Sequence, residues 1–277
     1  MYHRPKNTCI ERPDIPIQTI GLPRLKAVMR RIVLKSANMS RIHIIGCARS
    51  GTSLLAEFLT GFENSQYGHK ESSPVWDPSL QESIALFKRQ ISVEGRGFYI
   101  TKRAANWFMA RQVESLERLA RSDKIGVIHI IRDPRDVLTS QHFRNPEKRD
   151  HDTPYYVSPR RWLASLEAAE HIFKALSSYP LKTTIRYEDL VTHPEEVALG
   201  LNRTFGIKRA KTSPNWSEEP ISTGADKYIA ELQHLSASRV ARWKTDPEAA
   251  KFITQILHDR DYKTHLISFI NSNNYVL

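Results

Sequence analysis

The chain has 277 residues, 40% of them hydrophobic and 26% charged, with a formal net charge of +11. That balance supports one large packed α/β domain and excludes a largely disordered chain. No apolar run approaches the roughly 18 residues that a membrane-spanning helix needs.

Residues 1–40 read as a basic N-terminal extension. Nine Lys/Arg against Glu11 and Asp14 within residues 1–41 carry seven of the eleven excess positive charges. Pro5, Pro13 and Pro16 suggest an extended arm. Beyond it, Leu25, Val28, Met29, Ile32 and Val33 follow helical spacing while Arg24, Lys26, Arg30, Arg31 and Lys35 take the other positions. The segment reads as a helix packed on the domain with a solvated basic face; peripheral membrane contact through residues 24–36 is the alternative. Cys9 and Cys47 are too few for a disulfide framework, and the N-terminus lacks the apolar stretch of a secretory signal. The expectation is a reducing, cytoplasmic setting.

The second unit, residues 41–277, alternates short apolar runs with helical segments. Strands are expected at 42–46, 98–101, 125–131 and 183–187, and helices at 52–62 and 106–120. Further helices are announced by a capping residue followed by proline: Asp133-Pro134, Ser158-Pro159 and Asp246-Pro247. Residues 143–157 form the longest polar gap. The pattern predicts a parallel sheet of about five strands covered by helices on both faces, a three-layer architecture like that of the P-loop NTPases.

Two segments carry chemistry. In "IIGCARSGTSLL" (44–55) an apolar strand turns through Gly46, Cys47, Ala48, Arg49, Ser50 and Gly51 into a helix beginning at Thr52 and Ser53. Such a turn presents unpaired N–H groups and a positive dipole end to an anion. The P-loop pattern G-x-x-x-x-G-K-[ST] requires lysine where this chain has Thr52, so the loop suits a single phosphate better than a triphosphate. In "VIHIIRDPRDVLTS" (127–140) a strand ends in Arg132, placed where a parallel strand meets its ligand crevice, and Ser140 follows eight residues later. Together they can bracket a second phosphate.

With both segments in view the chain resembles the sulfotransferases that use 3′-phosphoadenosine 5′-phosphosulfate (PAPS). "ARSGTSLL" resembles their modified phosphate loop, with Ala48 where proline is usual; "IIRDPRDVLTS" resembles their second signature; "TTIRYEDL" (183–190) and "VARWKTDPEAAKFITQIL" (240–257) resemble two weaker ones. The resemblance implies that loop 46–53 holds the 5′-phosphosulfate, with Arg49 near the bridging oxygen. It implies that Arg132 and Ser140 hold the 3′-phosphate, that Tyr187 lies near the adenine, and that adenosine 3′,5′-bisphosphate is the product. An R-K-G segment common in the family is replaced by Ser236-Ala237-Ser238, leaving Ser236, Ser238 and Arg239 as the local phosphate ligands.

The same resemblance implies a lysine touching the transferring group, here Lys102, and a general base. Ala104 stands where some members carry a histidine, which turns attention to Glu71, with His69 as its rival. It implies metal-free transfer to an acceptor hydroxyl, here read as belonging to a glycan or glycolipid, with no nucleic-acid partner. The competing readings are a nucleotide or small-molecule kinase on the same scaffold, and a non-catalytic polyanion binder using the basic extension.

Overall fold

The computed structural model describes residues 39, 41–71, 97–104, 116, 118, 120–122, 124–141, 147, 149–150, 153–210 and 237–276, with residues 68–71 and 104 described by backbone alone. The basic extension, apart from Met39, lies outside these residues.

Five strands make one parallel sheet in the order β2-β3-β1-β4-β5: β1 (Arg41–Gly46), β2 (Ser65–Glu71), β3 (Phe98–Ala104), β4 (Gly126–Ile131) and β5 (Lys182–Arg186). The central strand β1 is buried on both faces, which is why "RIHIIG" reads as a run rather than an alternation. β4 follows the same rule. The expected strands are all present, two of them longer than the sequence indicated. β2 is an addition: "SQYGHKE" is polar and contains a glycine, as an edge strand can be, and only its pairing with β3 defines it.

Among the described residues the helices with defined bounds are α1 (Thr52–Thr60), α2 (Pro134–Leu138), α3 (Pro159–Ala175), α4 (Tyr187–Thr192), α5 (Pro194–Phe205), α6 (Pro247–His258) and α7 (Arg260–Ser272). Residues 116, 118 and 120–122 are helical as well, at the end of the expected 106–120 helix, the rest of which lies outside the described residues. The three cap-plus-proline starts hold. Asp133 accepts from the Arg135 amide, Ser158 from that of Arg161, and Asp246 from those of Glu248 and Ala249. α1 packs over β2 and β3. One apolar core, including Ile42, Ile44, Leu55, Phe58, Ile128 and Phe205, embeds the sheet. A second joins α2, α3, α6 and α7 through Val137, Trp162, Ile253, Leu266 and Phe269. No described helix is long and apolar enough to cross a membrane.

β1 steps toward β2 and β3 on one side, while β4 and β5 extend the other. Right-handed crossovers running in opposite directions put their helices on opposite faces. The C-terminal ends of β1 and β4 therefore border the crevice in which such sheets bind ligands.

Candidate active site

β1 ends in Gly46 because nothing larger fits. A Cβ there would lie 2.6 Å from the Ile130 carbonyl oxygen and 2.8 Å from Ser50 Oγ. The chain then turns tightly, with the Ser50 amide and hydroxyl both donating to the Cys47 carbonyl at 3.1 and 2.6 Å. Arg49 and Gly51 take left-handed conformations, φ 72° and 97°. A non-glycine residue held there is a strained position of the kind found at functional sites. α1 begins at Thr52 with no acidic residue in its first turn, and no described side chain caps it. Its N-terminal amides and positive dipole end are left to an anion. Ser53 follows on the same turn. Ala48 is half-buried against the second core. Burial pushes the Cys47 thiol up to about 11, so it stays protonated and unreactive at neutral pH.

Arg132, nearly buried at the end of β4, reaches across this turn. Its guanidinium donates to the Arg49 carbonyl at 3.2 Å and the Arg239 carbonyl at 2.6 Å, pairs with Asp136 at 3.6 Å and lies 4.3 Å from the centre of the Tyr187 ring. Its buried Nε has no hydrogen-bond partner among the described residues. Tyr187 opens α4, and its ring would lie 2.6 Å from a Cβ at Gly51. The Tyr187 ring thus packs against both the phosphate loop and the Arg132 guanidinium.

The Arg49 guanidinium is lowered to about 10, chiefly by burial and then by the charges of Arg132 and Arg239. The charges of Arg132 and Arg239 therefore both bear on Arg49, which sits in the turn before an uncapped helix start. Asp136 offsets Arg132, while Asp133 is occupied by Arg135, whose Nε and Nη2 reach it at 2.9 and 2.8 Å. A bound polyanion would relieve this concentration of positive charge.

α2 is only five residues long, and Ser140 follows its end in a tighter turn, its hydroxyl donating to the Asp136 carbonyl at 2.6 Å. Ser238 lies on the exposed 3₁₀ turn Ala237–Arg239. Ser236 lies outside the described residues.

The "RDPRD" segment is also a junction. The Asp133 amide donates to Glu188 at 3.0 Å, and the Tyr275 hydroxyl donates to the other oxygen of the same carboxylate at 3.0 Å. Arg135 lies over the Trp243 ring at 4.4 Å and donates to the Val276 carbonyl at 2.6 Å. Asp136 accepts from the Ala241 amide at 2.8 Å and the Trp243 amide at 3.2 Å. The sequence segments 132–136, 186–188 and 239–243 are thus one packed unit. Asp136 and Glu188 are the participants that the sequence did not single out, although both lie within the quoted motifs.

Lys102 is buried, 6% exposed, against the surface position usual for a lysine at a strand end. Its backbone pairs with Ile44 of β1 on one side and Glu71 of β2 on the other. The β2 register shifts between Tyr67 and Glu71, and this irregularity, which contains His69, brings Glu71 level with Lys102. Of the aromatics near the polar gap, Tyr155 packs on Phe252 and Trp162 on Phe269 as core residues. Tyr156 is half-buried beside Arg161.

No protein-family model matches the chain, and no curated protein matches it. Among solved structures it is similar to the sulfotransferase domain from the curacin biosynthetic pathway, with a TM-score of 0.51, 19% identity, and coverage of 79% of this chain and 97% of that one. It is also similar to mouse sulfotransferase SULT7A1 complexed with PAP, at a TM-score of 0.44, 15% identity, and 89% and 95% coverage. A retinol dehydratase in complex with retinol and PAP aligns at 0.40, with 13% identity and 87% of each chain covered. The first of these shows that the chain has the fold of a sulfotransferase domain.

Proposed function

We propose that the chain is a PAPS-dependent sulfotransferase that transfers a sulfuryl group to an acceptor hydroxyl on a carbohydrate. The observation that carries this is the Arg132 guanidinium bridging the Arg49 and Arg239 carbonyls beside an uncapped helix start that has Thr52 in the lysine slot. Such a site fits a donor with separated 5′ and 3′ phosphate groups. The unpartnered Arg132 Nε supplies a further donor. The kinase reading is disfavoured because Asp133, the carboxylate best placed to hold a magnesium ion, is taken up by its own helix start and by Arg135.

When bound, the donor supplies the sulfuryl group, whose bond to the 5′-phosphate breaks as the acceptor oxygen attacks in line. The α1 amides, Thr52, Ser53 and Arg49 bind the 5′ end and stabilise charge on the departing phosphate. Arg132, with Ser140 and Arg239, binds the 3′-phosphate. Lys102 stabilises charge on the transferring group, and Glu71 takes the acceptor proton. The backbone pairing of Glu71 with Lys102 supports this division of labour, since it puts base and cation at the same level of the sheet. The proposed setting is cytoplasmic, with the basic extension available for a membrane-borne glycolipid acceptor.

Calorimetry with adenosine 3′,5′-bisphosphate and with ATP–Mg²⁺ tests the reading. The expected result is bisphosphate binding at least about tenfold tighter, roughly 1.4 kcal/mol. Binding of ATP–Mg²⁺ alone would overturn it.

A further inference from the structure

The segment after residue 236 brings Arg239 to the donor crevice, yet little of its own structure explains its course. It consists of two short 3₁₀ turns, Ala237–Arg239 and Arg242–Lys244, joined through Val240 and Ala241. All of Ala237, Ser238, Arg239, Val240 and Ala241 are exposed or half-buried. Ala241 stands in the left-handed region, φ 55°, where an alanine persists only if its surroundings hold it. What holds it is Asp136. One carboxylate oxygen accepts from the Ala241 amide at 2.8 Å and the other from the Trp243 amide at 3.2 Å. The same carboxylate pairs with Arg132, whose guanidinium in turn donates to the Arg239 carbonyl. One buried acid therefore fixes both the cation that ends β4 and the backbone that carries the second cation.

We propose that Asp136 is a positioning residue that sets selectivity for a donor bearing a 3′-phosphate, by holding the 239–243 backbone so that Arg239 and Arg132 face one site. This rests on the sulfotransferase reading and adds to it the means by which the chain compensates for lacking the R-K-G segment. Arg239 supplies the missing charge, and Asp136 supplies the order that a short exposed turn lacks. The charge of Arg239 already acts on both Arg49 and Tyr187 in this arrangement. Asp136 does not touch the ligand; its carboxylate is spent on two amides and one guanidinium.

The test compares binding of adenosine 3′,5′-bisphosphate and adenosine 5′-phosphate by calorimetry in the full chain, its Asp136→Asn variant, its Arg239→Ala variant and the double variant. The wild type is expected to prefer the bisphosphate by about 100-fold or more, as two charge-assisted contacts imply. Asp136→Asn should lose about tenfold or more of that preference while its affinity for the monophosphate stays within about threefold. Arg239→Ala should lose a similar factor, and the double variant no more than the larger single loss, because both act through one group. Equal weakening of both ligands in Asp136→Asn would make the residue merely structural and overturn the proposal, as would additive losses in the double variant. If Asp136→Asn fails to fold, Arg239→Ala decides, since the half-exposed Arg239 can be truncated without opening the core: full retention of the preference refutes the proposal. A wild type that does not distinguish the two nucleotides would instead refute the sulfotransferase reading.

Discussion

Gly51→Ala is the substitution whose effect the site geometry constrains most tightly. Gly51 has φ 97°, and a Cβ there would lie 2.6 Å from Tyr187 Cδ2 and 3.3 Å from Ile130 Cδ1. A left-handed conformation costs an L-residue about 1–2 kcal/mol. Carbon atoms pack at about 3.5–4.0 Å, so the Tyr187 ring must withdraw by about 1 Å. The ring is buried and lies beneath Arg132, and overpacking of this kind adds about 1–3 kcal/mol. The total is a destabilisation of about 2–5 kcal/mol, read from urea unfolding of wild type and variant. Tyr187→Ala in the same background removes the overlap but not the backbone cost. The double-mutant cycle should therefore show a coupling of about 1–3 kcal/mol. Affinity for adenosine 3′,5′-bisphosphate should fall at least about tenfold in Gly51→Ala, because displacing the ring displaces the guanidinium above it. A variant within about 0.5 kcal/mol of wild type, or strictly additive effects in the cycle, would refute the packing argument.

Arg132→Lys retains the charge but not the planar fork that serves two carbonyls and stacks on Tyr187; bisphosphate affinity should fall about 10–100-fold, and unchanged titration curves would remove Arg132 from the site. Lys102→Ala and Glu71→Ala should each lower transfer by about 10²-fold or more in a labelled-donor assay while bisphosphate binding stays within about threefold. Full activity in Glu71→Ala would eliminate it as the base. The buried His43 and the half-buried His129 are held neutral, lowered to about 3 and about 4 chiefly by loss of solvation, with Arg41 and Arg103 adding to the effect at His43. Their folded values lie below the unfolded value near 6.5. The unfolded chain therefore takes up protons first as pH falls, and stability is lost progressively from about pH 6.5 down to about pH 4 for His129 and about pH 3 for His43, by about 2 kcal/mol for each histidine between pH 7 and 5. His129→Gln should remove about half of that imidazole contribution, measured as the change in urea midpoint between pH 7 and 5. The comparison also separates it from the opposite contribution of Asp136 and Glu188, whose carboxyls burial holds above their usual range. Identical pH dependence in the two proteins would refute the assignment.

The sheet core was legible because β1 and β4 lie in its middle, where burial on both faces leaves uninterrupted apolar runs. The starts of α2, α3 and α6 were legible because capping and proline chemistry are local. β2 was not, since an edge strand has only one neighbour to satisfy and its polar sequence carries no period. The burial of Lys102 was equally hidden, because it depends on two flanking strands that join β3 only in three dimensions. Arg132 and Arg49 stood out within short motifs. Asp136 stood inside one of those motifs, but its amide partners lie 105 and 107 residues further along the chain, beyond the reach of any local pattern.

That separation governs how the protein folds. The β1, β3 and β4 strands can pair without any residue beyond 131, whereas the crevice at their ends is closed by contacts spanning 105 to 141 residues: Asp136 with Ala241 and Trp243, Arg132 with Arg239, Arg135 with Val276. Loop closure over such distances is offset only after the scaffold exists. The amides of residues 239–243 should consequently exchange with solvent deuterium through a lower-energy opening than those of β1 and β4. A folding chain would thus hold a finished sheet before it had a finished donor site.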